Sequence, residues 1–380
     1  MEEQRPQPEA VNGHFPREEN PAFLKEQILT YLGNKRALLH FIGQGVERVR
    51  KRLGRETISC VDLFAGSGIV ARYLKRFSSV LYVNDLEPYS TCMSECYLAN
   101  KSQVDMETLQ ETLCVLKREI HRQWAPGWIA EMYAPQDDEH IRQGERVFYT
   151  RRNAIYIDTA RRLIDQLPEK MQHFLLAPLL YSASVHNNTA GVFKGFYKNR
   201  AGIGQFGGEG KNSLPRILGE IEQALPVFSS FECEVHVLQQ ESRDAARSLP
   251  NVDFCYMDPP YNEHPYGSNY FMLNLILENR RPASVSPVSG IPESWNRSAY
   301  NKPQQAREHF FSVIRDCPAK FILISYNSEG FIQYGEFADF LRSLGRVSSL
   351  ETDYNTFRGC RNLRNRPFSV KEYLFLLERR

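Results

Sequence analysis

Apolar residues along the chain fall into short runs that alternate with longer segments of helical spacing. The short runs, bounded by turn residues, predict strands at residues 57–63, 80–84, 233–238, 252–257, 321–326, 347–354 and 372–377. Helical spacing covers residues 23–53, with a break at 31–35, and returns at 69–77, 106–123 and most of 151–184. This order predicts an α/β fold, a doubly wound and mostly parallel seven-stranded sheet.

A largely helical and locally basic segment interrupts the strand pattern. We therefore predict a discontinuous α/β domain at residues 23–104 and 230–380, with an inserted domain at residues 105–229. Residues 1–22 are polar and their first part carries three prolines without periodicity, so they are predicted to form a flexible tail.

Composition and cysteine usage indicate a globular protein. Of the 380 residues, 42% are hydrophobic and 24% are charged, which is ordinary for a folded domain. There is no apolar run near the roughly 18 residues that span a bilayer and no signal sequence at the start, so no membrane is expected. The eight cysteines lack paired CxxC spacing, which predicts reduced core residues in a cytoplasmic protein and no metal site.

The formal net charge is only +2, but the basic residues are concentrated. Residues 186–216 hold five cations against one acid, and residues 341–380 hold nine against four. Such stretches suit a polyanion on one face of the protein. Taken alone, however, a solvated surface explains them better.

The sharpest chemical signal is Asp258-Pro259-Pro260-Tyr261, directly after the apolar run at 252–257. This position is the carboxyl end of a strand, where open α/β sheets bind ligands. The two prolines fix the backbone and remove two N–H donors, which leaves their carbonyls as acceptors. Asp258 and the Pro259 carbonyl can each accept an N–H bond from an amino group on a flat heterocycle, while Tyr261 can stack on the ring. The alternative is a polar turn that happens to contain two prolines.

A second signal lies at the predicted turn between the first strand and its helix. Residues 62–68 read DLFAGSG, and Asp85 ends the next strand. Glycines at such a turn allow close approach of a nucleoside, and a strand-end acid can bind ribose hydroxyls. The third glycine of the dinucleotide fingerprint is missing and no basic residue lies at the turn, which argues against NAD. A tight turn with a capped strand end is the alternative.

Together these segments resemble the Dam-type adenine-specific DNA methyltransferases. The shared elements, in the same order along residues 25–375, are Tyr31-Leu32-Gly33-Asn34-Lys35, residues 62–68, Asn84-Asp85-Leu86, a target-recognition insertion, Asp258 to Tyr261 and Ser325-Tyr326-Asn327. The resemblance implies the class I fold of S-adenosylmethionine-dependent methyltransferases, with S-adenosyl-L-methionine as the cofactor. It implies transfer of a methyl group to the exocyclic amino group of a flipped adenine in duplex DNA, in a restriction–modification system with a possible cognate restriction endonuclease.

The resemblance also implies roles for individual residues. Asp258, Pro259, Pro260 and Tyr261 would form the catalytic loop. The cofactor would be bound by Tyr31, Lys35, Asp62, Phe64, Gly66, Gly68, Asp85, Asp244 and Asp258. On the residues alone, Lys35 is more readily a solvated side chain. Residues 325–327 could equally cap a helix beginning near Gly330.

A basic loop in the insertion mixes aromatic residues with cations, as DNA-contacting loops do. The predicted DNA contacts are Lys194, Lys198, Asn199, Arg200 and Lys211, with possible support from Arg151, Arg152, Arg161, Arg162 and the run at 358–366. A flexible surface loop is the alternative.

Two other functions stay open at this point. The first is an amino-methyltransferase that acts on cytosine, on RNA or on a glutamine side chain. The second is a DNA-binding protein with an inactive methyltransferase fold. A cytosine-C5 enzyme is disfavoured because it needs a nucleophilic Pro-Cys loop, whereas Cys317 precedes its proline.

Overall fold

A computed structural model of the chain describes residues 18–260, 265–328, 330–355 and 369–380. These residues form a seven-stranded sheet in the order β3-β2-β1-β4-β5-β7-β6, in which only the pairs that involve β7 are antiparallel. The strands are Ile58–Asp62 (β1), Ser78–Asn84 (β2), Glu234–Leu238 (β3), Val252–Met257 (β4), Ala319–Asn327 (β5), Gly345–Asn355 (β6) and Ser369–Arg379 (β7). The predicted fold class is confirmed, and each predicted strand coincides with an observed one to within three residues at each end.

Helices connect the strands and cover both faces of the sheet. They are Leu39–Leu53 (α1), Ile69–Lys75 (α2), Pro88–Tyr97 (α3), Met106–Arg122 (α4), Trp128–Tyr133 (α5), Arg151–Ile164 (α6), Glu169–Val185 (α7), Leu214–Ile217 (α8), Ser242–Ser248 (α9), Tyr266–Asn269 (α10), Phe271–Glu278 (α11), Pro303–Asp316 (α12) and Tyr334–Leu344 (α13). Short 3-10 helices occupy Pro21–Leu24, Lys35–Leu38, Lys101–Gln103 and Ala299–Asn301.

The sheet order places the functional strand ends together. Strands β1, β2 and β3 extend the sheet in one direction, and β4 then starts its extension in the other direction. Strands β1 and β4 are neighbours, and Asp62 pairs with Tyr256. In open α/β sheets a crevice forms at this switch point, outside the carboxyl ends of the strands. The residues after β1, β2 and β4 therefore share one edge of the sheet.

Local sequence signals account for the helix boundaries of the inserted segment. Asp105 accepts a hydrogen bond from the backbone N–H of Thr108 at 3.0 Å and caps α4, and Thr150 caps α6 through Asn153 at 3.2 Å. Leu109, Leu113, Leu116 and Ile120 recur on one face of α4 and are buried. This is the apolar stripe that a helix needs in order to pack on a core.

The inserted helices share a hydrophobic core with the sheet. One continuous buried cluster joins side chains of α4 to α7 to those of α1, α2, α3, α11 and one face of the strands, and a second cluster under α9, α12 and α13 covers the other face. Helices α4 to α7 are thus packed onto the α/β core. The division at residues 105 and 229 stays a prediction.

The amino-terminal residues are anchored where the structure begins to describe them. The side chain of Asn20 donates to the carbonyl of Phe228 at 3.0 Å, and Glu19 accepts from the backbone N–H of Ser230 at 2.8 Å. Residues 1–17 of the predicted tail lie outside the described residues. None of the helices in the described part of the chain has the length and apolar character that a membrane crossing requires.

Arg161 is a structural residue. It is 3% exposed, and its guanidinium donates to the carbonyls of Ile276 at 2.7 Å and Leu277 at 2.9 Å, at the end of α11. The same group pairs with Asp165 at 2.8 Å. The prediction that Arg161 flanks a DNA groove is therefore wrong, because its buried guanidinium links α6 to α11 through hydrogen bonds.

Replacing Arg161 tests this anchoring role. Arg161→Ala leaves buried carbonyls without donors and removes a packed side chain, which is expected to lower the free energy of unfolding by about 2–4 kcal/mol. Urea denaturation followed by circular dichroism measures the change. Arg162→Ala, on the exposed face of the same helix, is the matched control and should cost less than about 1 kcal/mol. Equal losses in the two variants would contradict the assignment.

Candidate active site

A cleft of about 1060 Å³, counted out to its open mouth, lies at the carboxyl edge of the sheet. Its walls come from the turns after β1, β2 and β4, from residues 31–35 and from residues 296–301. Seven of the predicted site residues line it: Tyr31, Lys35, Phe64, Gly66, Asp85, Asp258 and Pro260. The structure thus brings together residues that lie more than 200 positions apart in the chain.

Glycine is required at position 66 for two reasons. Its φ of +52° is one that L side chains rarely adopt, and a Cβ there would lie 2.9 Å from the ring of Tyr31. The backbone N–H of Gly66 donates to Asp85 at 2.7 Å, so the turn and the strand-end acid are held together. A side chain at this position would block the floor of the cleft.

Tyr31 and Tyr266 line one side of the cleft, and the buried Tyr270 packs against both of them. Tyr31 stacks on Tyr266 at 5.0 Å and on Tyr270 at 4.6 Å between ring centroids, in both cases 16° from parallel. The hydroxyl oxygen of Tyr270 accepts a hydrogen bond from the backbone N–H of Leu32 at 2.7 Å. Tyr266 and Tyr270 were not predicted as site residues from the sequence.

Two acids that follow β2 lie at the cleft. Burial raises the pKa of Asp85, although the N–H groups of Glu87 and Gly66 offset part of that shift. Burial likewise raises the pKa of Glu87 to about 7, and Asn274 opposes this by donating to its carboxylate at 2.7 Å. Glu87 was not predicted, but its spacing two residues after Asp85 is a signal that could have indicated it.

Asp62 lies beneath the glycine turn, at the end of β1. Burial raises the pKa of its carboxyl to about 8, and repulsion from Asp258 and Asp85 adds to the shift. At neutral pH this group is therefore mostly protonated. Asp62 directly precedes Leu63, which lines the cleft. At the other end of the same turn, Gly68 (φ +75°) lies directly before α2.

Asp258, at the proline corner, shares a cation with a second acid. The Lys35 ammonium lies 3.1 Å from Asp258 Oδ1 and 3.2 Å from Glu372 Oε1. Glu372 also accepts from the hydroxyl of Ser325 at 2.5 Å. Lys35 is 5% exposed and Glu372 is buried, while the Asp258 side chain is 17% exposed where it lines the cleft.

Burial also shifts the acid–base balance of Asp258. It raises the pKa of this carboxyl to about 6, Lys35 lowers it, and Glu372 raises it. The carboxylate is nevertheless ionised above neutral pH and can accept hydrogen bonds. Pro259 is buried behind it and Pro260 lines the cleft, while Tyr261 lies outside the described residues.

Two interpretations from the residues alone are corrected here. Lys35 is a buried ion-pair residue, because it opens the 3-10 helix Lys35–Leu38 directly against Asp258. Residues 325–327 belong to β5, and the next helix begins at Tyr334, so they do not cap a helix near Gly330. Glu372 was missed as a site residue, although a lone acid that opens an apolar strand segment is a usable signal.

The further acid predicted after β3 lies elsewhere. Asp244 is exposed in the first turn of α9, whereas Glu241 and Ser242, at the start of that helix, line the cleft. Hydrogen bonds from His309 and Ser242 help to hold the pKa of Glu241 at about 2 against the opposing effect of burial. The residue that faces the cleft from this element is therefore Glu241.

The basic loop forms a small hairpin on the surface. Lys198 pairs with Gly204, and the Oδ1 atom of Asn199 accepts from the N–H groups of Ala201 at 2.9 Å and Ile203 at 3.1 Å. Asn199 therefore supports the turn with that oxygen, while Arg200 is exposed at the tip. The other predicted DNA contacts, Lys194, Lys198 and Lys211, are exposed as well.

This loop is fixed to the segment that follows the proline corner. The backbone N–H of Phe193 donates to the carbonyl of Asn269 in α10 at 2.7 Å, and the Phe193 ring is buried against Phe271. The side chain of Asn188 donates to the carbonyl of Gln205 and accepts from the N–H of Gly207, which holds the far end of the hairpin. The exposed cations are thus carried by a loop whose base packs on α10 and α11, and Tyr266 and Gly267 of α10 line the cleft.

Other cations of the insertion serve the fold. Arg216 donates to the carbonyls of Val185, Asn187 and Thr189 and so caps the end of α7. Arg152 pairs with Glu220 at 2.8 Å, and Arg151 donates to the carbonyl of Ala130 at 2.9 Å. The basic run at 358–366 lies outside the described residues.

The sheet order, the glycine turn after β1 and the acid after β2 define a methyltransferase of class I fold. Residues 31–334 match the family model of the D12 class N6 adenine-specific DNA methyltransferases. The chain belongs to this family, and it is an enzyme that methylates adenine in DNA.

Similar proteins include restriction–modification methyltransferases. The chain is 28% identical to the type II methyltransferase M.CviAII of Paramecium bursaria Chlorella virus 1, over 91% of this chain and 97% of that protein. It is 29% identical to the type II methyltransferase M.NlaIII of Neisseria lactamica, over 92% and 99%. It is also 27% identical to the modification methylase LlaI of Lactococcus lactis subsp. lactis, over 87% of this chain and 51% of that protein.

The shared cation makes a prediction about stability. Lys35→Met leaves two buried carboxylates facing each other, which should destabilise the fold by about 3–5 kcal/mol at pH 8. Without the ammonium the pKa of Asp258 rises further, so its protonation at lower pH relieves the repulsion. The deficit relative to the unmodified protein should therefore shrink from pH 8 to pH 5.

Urea denaturation at several pH values measures this deficit. Lys51→Met removes an exposed cation that pairs only loosely with Glu47, at 3.9 Å, and it should show a small deficit without that pH dependence. A Lys35→Met deficit that is constant from pH 5 to pH 8 would contradict the shared ion pair.

Proposed function

We propose that this chain transfers a methyl group from S-adenosyl-L-methionine to the exocyclic amino group of an adenine that is flipped out of duplex DNA. The observation that carries the proposal is the position of Asp258. Its carboxylate stands at the proline-fixed end of β4 and opens onto the same cleft as the glycine turn and Asp85. An acceptor for an amino group and a nucleoside-sized cleft are thus adjacent.

The cleft suits the proposed cofactor. The missing Cβ at Gly66 lets the Tyr31 ring pack directly against the turn as one wall of the cleft, and each oxygen of Asp85 has acceptor capacity beyond the N–H group that it already binds. Carboxylates around the cleft complement a sulfonium cation. We assign cofactor contacts to Tyr31, Phe64, Gly66, Asp85 and Glu241, with Lys35, Asp62 and Gly68 supporting the shape of the site.

When bound, the cofactor supplies an electrophilic methyl carbon on a positively charged sulfur. The task of the protein is to orient the amino nitrogen toward it, which is worth most of the rate gain in a direct transfer. Asp258 and the Pro259 carbonyl accept the two N–H bonds and direct the nitrogen lone pair at the methyl group. Methylation of the amino nitrogen would release one proton, and the Asp258 carboxylate is placed to accept it.

DNA binding is assigned to the insertion at residues 105–229 as a target-recognition domain. The exposed cations Lys194, Lys198, Arg200 and Lys211 neutralise phosphates next to the cleft, and Asn199 shapes the loop that carries Arg200. Such contacts help to offset the few kcal/mol that unstacking of the target base costs. Tyr261 completes the catalytic loop as a stacking residue in this proposal.

A cognate restriction endonuclease in the cytoplasm is proposed as the biological partner. The support is that the similar proteins are type II methyltransferases and a modification methylase. Recovery of an endonuclease activity that cuts only DNA unmodified by this chain would test that part of the proposal.

Transfer of tritium-labelled methyl groups to duplex DNA tests the chemistry. The unmodified protein should label adenine, whereas Asp258→Ala should lower kcat at least 1000-fold because the amino group loses its acceptor, with DNA affinity changed less than threefold. Asp339→Ala, an exposed carboxylate on α13, is the control and should retain full activity. Failure of the folded protein to label adenine in any DNA, or label appearing on another base, would overturn the proposal.

The basic loop makes a separate prediction. Removing one phosphate contact by Lys198→Ala or Arg200→Ala should weaken DNA binding and reduce the slope of log affinity against log salt by about 1. Fluorescence anisotropy from 50 to 300 mM salt measures both quantities. Lys101→Ala, an exposed lysine after α3, should leave the slope unchanged. If both loop variants keep the slope of the unmodified protein, Lys198 and Arg200 do not contact DNA phosphates.

A further inference from the structure

We propose that Glu372 is a positioning residue for methyl transfer, which divides Lys35 between two carboxylates and so keeps Asp258 able to accept the amino group of adenine. This inference rests on the proposed role of Asp258, and it adds a residue from a strand that lies two positions away from β4 in the sheet. Glu372 lies in β7, while Asp258 follows β4, and β5 separates the two strands.

The geometry holds Glu372 in one place. Its Oε1 atom lies 3.2 Å from the Lys35 ammonium and accepts from the Ser325 hydroxyl at 2.5 Å. Residue 372 pairs with Asn327 in the antiparallel ladder between β5 and β7, which sets the height of the side chain along the strand. Ser325 is fully buried, so this arrangement is dry and its electrostatic interactions are strong.

A carboxylate buried in an apolar strand loses favourable hydration, so its presence at this position is better explained by a specific partner than by packing. Residues 373–377 read YLFLL, and Leu374, Phe375, Leu376 and Leu377 are buried in the two cores. An apolar side chain at 372 would suit the strand better if the position served packing alone. The acid is instead aimed at the cation that also contacts the catalytic loop.

The effect on Asp258 follows from charge. An ammonium with one carboxylate partner would concentrate its attraction on Asp258, which would stabilise the ionised form and make it a weaker proton acceptor. A second carboxylate at a similar distance from the ammonium offsets part of that attraction. The pKa of Asp258 reflects this balance, because burial and Glu372 raise it while Lys35 lowers it.

The other titratable groups facing Asp258 contribute little charge at neutral pH. Burial raises the pKa of Tyr256 well above its ordinary value, and it raises that of Asp62 to about 8. Both groups are thus mainly neutral near pH 7. The charge balance at the catalytic carboxylate is therefore set chiefly by Lys35 and Glu372.

The variant Glu372→Gln keeps the size of the side chain and removes its charge. We expect kcat for adenine methylation to fall about 10- to 100-fold, with the dissociation constants for S-adenosylmethionine and DNA changed less than threefold. Because Glu372 raises the pKa of Asp258, its removal should move the acid limb of the kcat/KM profile to lower pH. A merely structural role for Glu372 would lower activity without moving this limb.

Two further variants complete the test. Glu372→Asp restores the charge at a greater distance, so its kcat and the acid limb of its pH profile should fall between those of Glu372→Gln and the unmodified protein. If Glu372→Gln fails to fold, Glu372→Asp is measured in its place. Glu378→Gln, on the same strand and paired with Arg52 at the surface, should behave as the unmodified protein.

The inference is overturned if Glu372→Gln folds and keeps full kcat, or if its kcat falls while the acid limb stays in place. Should Glu372→Gln not fold, the same two results for Glu372→Asp would overturn it. These outcomes differ from a failure of the proposed function, in which the unmodified protein would not label adenine or Asp258→Ala would remain active.

Discussion

The site depends on one buried cation held between two acids. Lys35 comes from the amino-terminal segment, Asp258 from the turn after β4 and Glu372 from the antiparallel strand β7. Charged groups removed from water are stable only when they are paired in good geometry. The ammonium therefore fixes the distance between three parts of the chain, and the shape of the catalytic corner follows from that constraint.

The glycine turn depends on a second short-range constraint. Gly66 must lack a side chain because Tyr31 occupies the adjacent space, and its N–H must reach Asp85. The same amino-terminal segment thus supplies a ring against the glycine turn and a cation against Asp258. Residues 31–35 connect the two halves of the site, although no strand of the sheet contains them.

The insertion combines structural and exposed cations. Arg161 and Arg216 satisfy backbone carbonyls at helix ends, whereas the cations of the hairpin at residues 198–204 point outward. The difference lies in burial, since a guanidinium that satisfies several buried carbonyls cannot also reach a phosphate. The hydrogen bond from Phe193 to Asn269 joins the segment before the hairpin to α10, the first helix after the proline corner in the chain.

The sequence by itself determined the positions of the strands, the α/β fold class and the motifs at the strand ends. Periodicity and turn residues are local, so the seven strands, the glycine turn, Asp85 and Asp258 could all be predicted. Only the tertiary structure decided which distant groups meet. Burial of Lys35, its sharing with Glu372 and the choice of Glu241 over Asp244 at the cleft depend on contacts between segments far apart in the chain, and local patterns carry no information about those contacts.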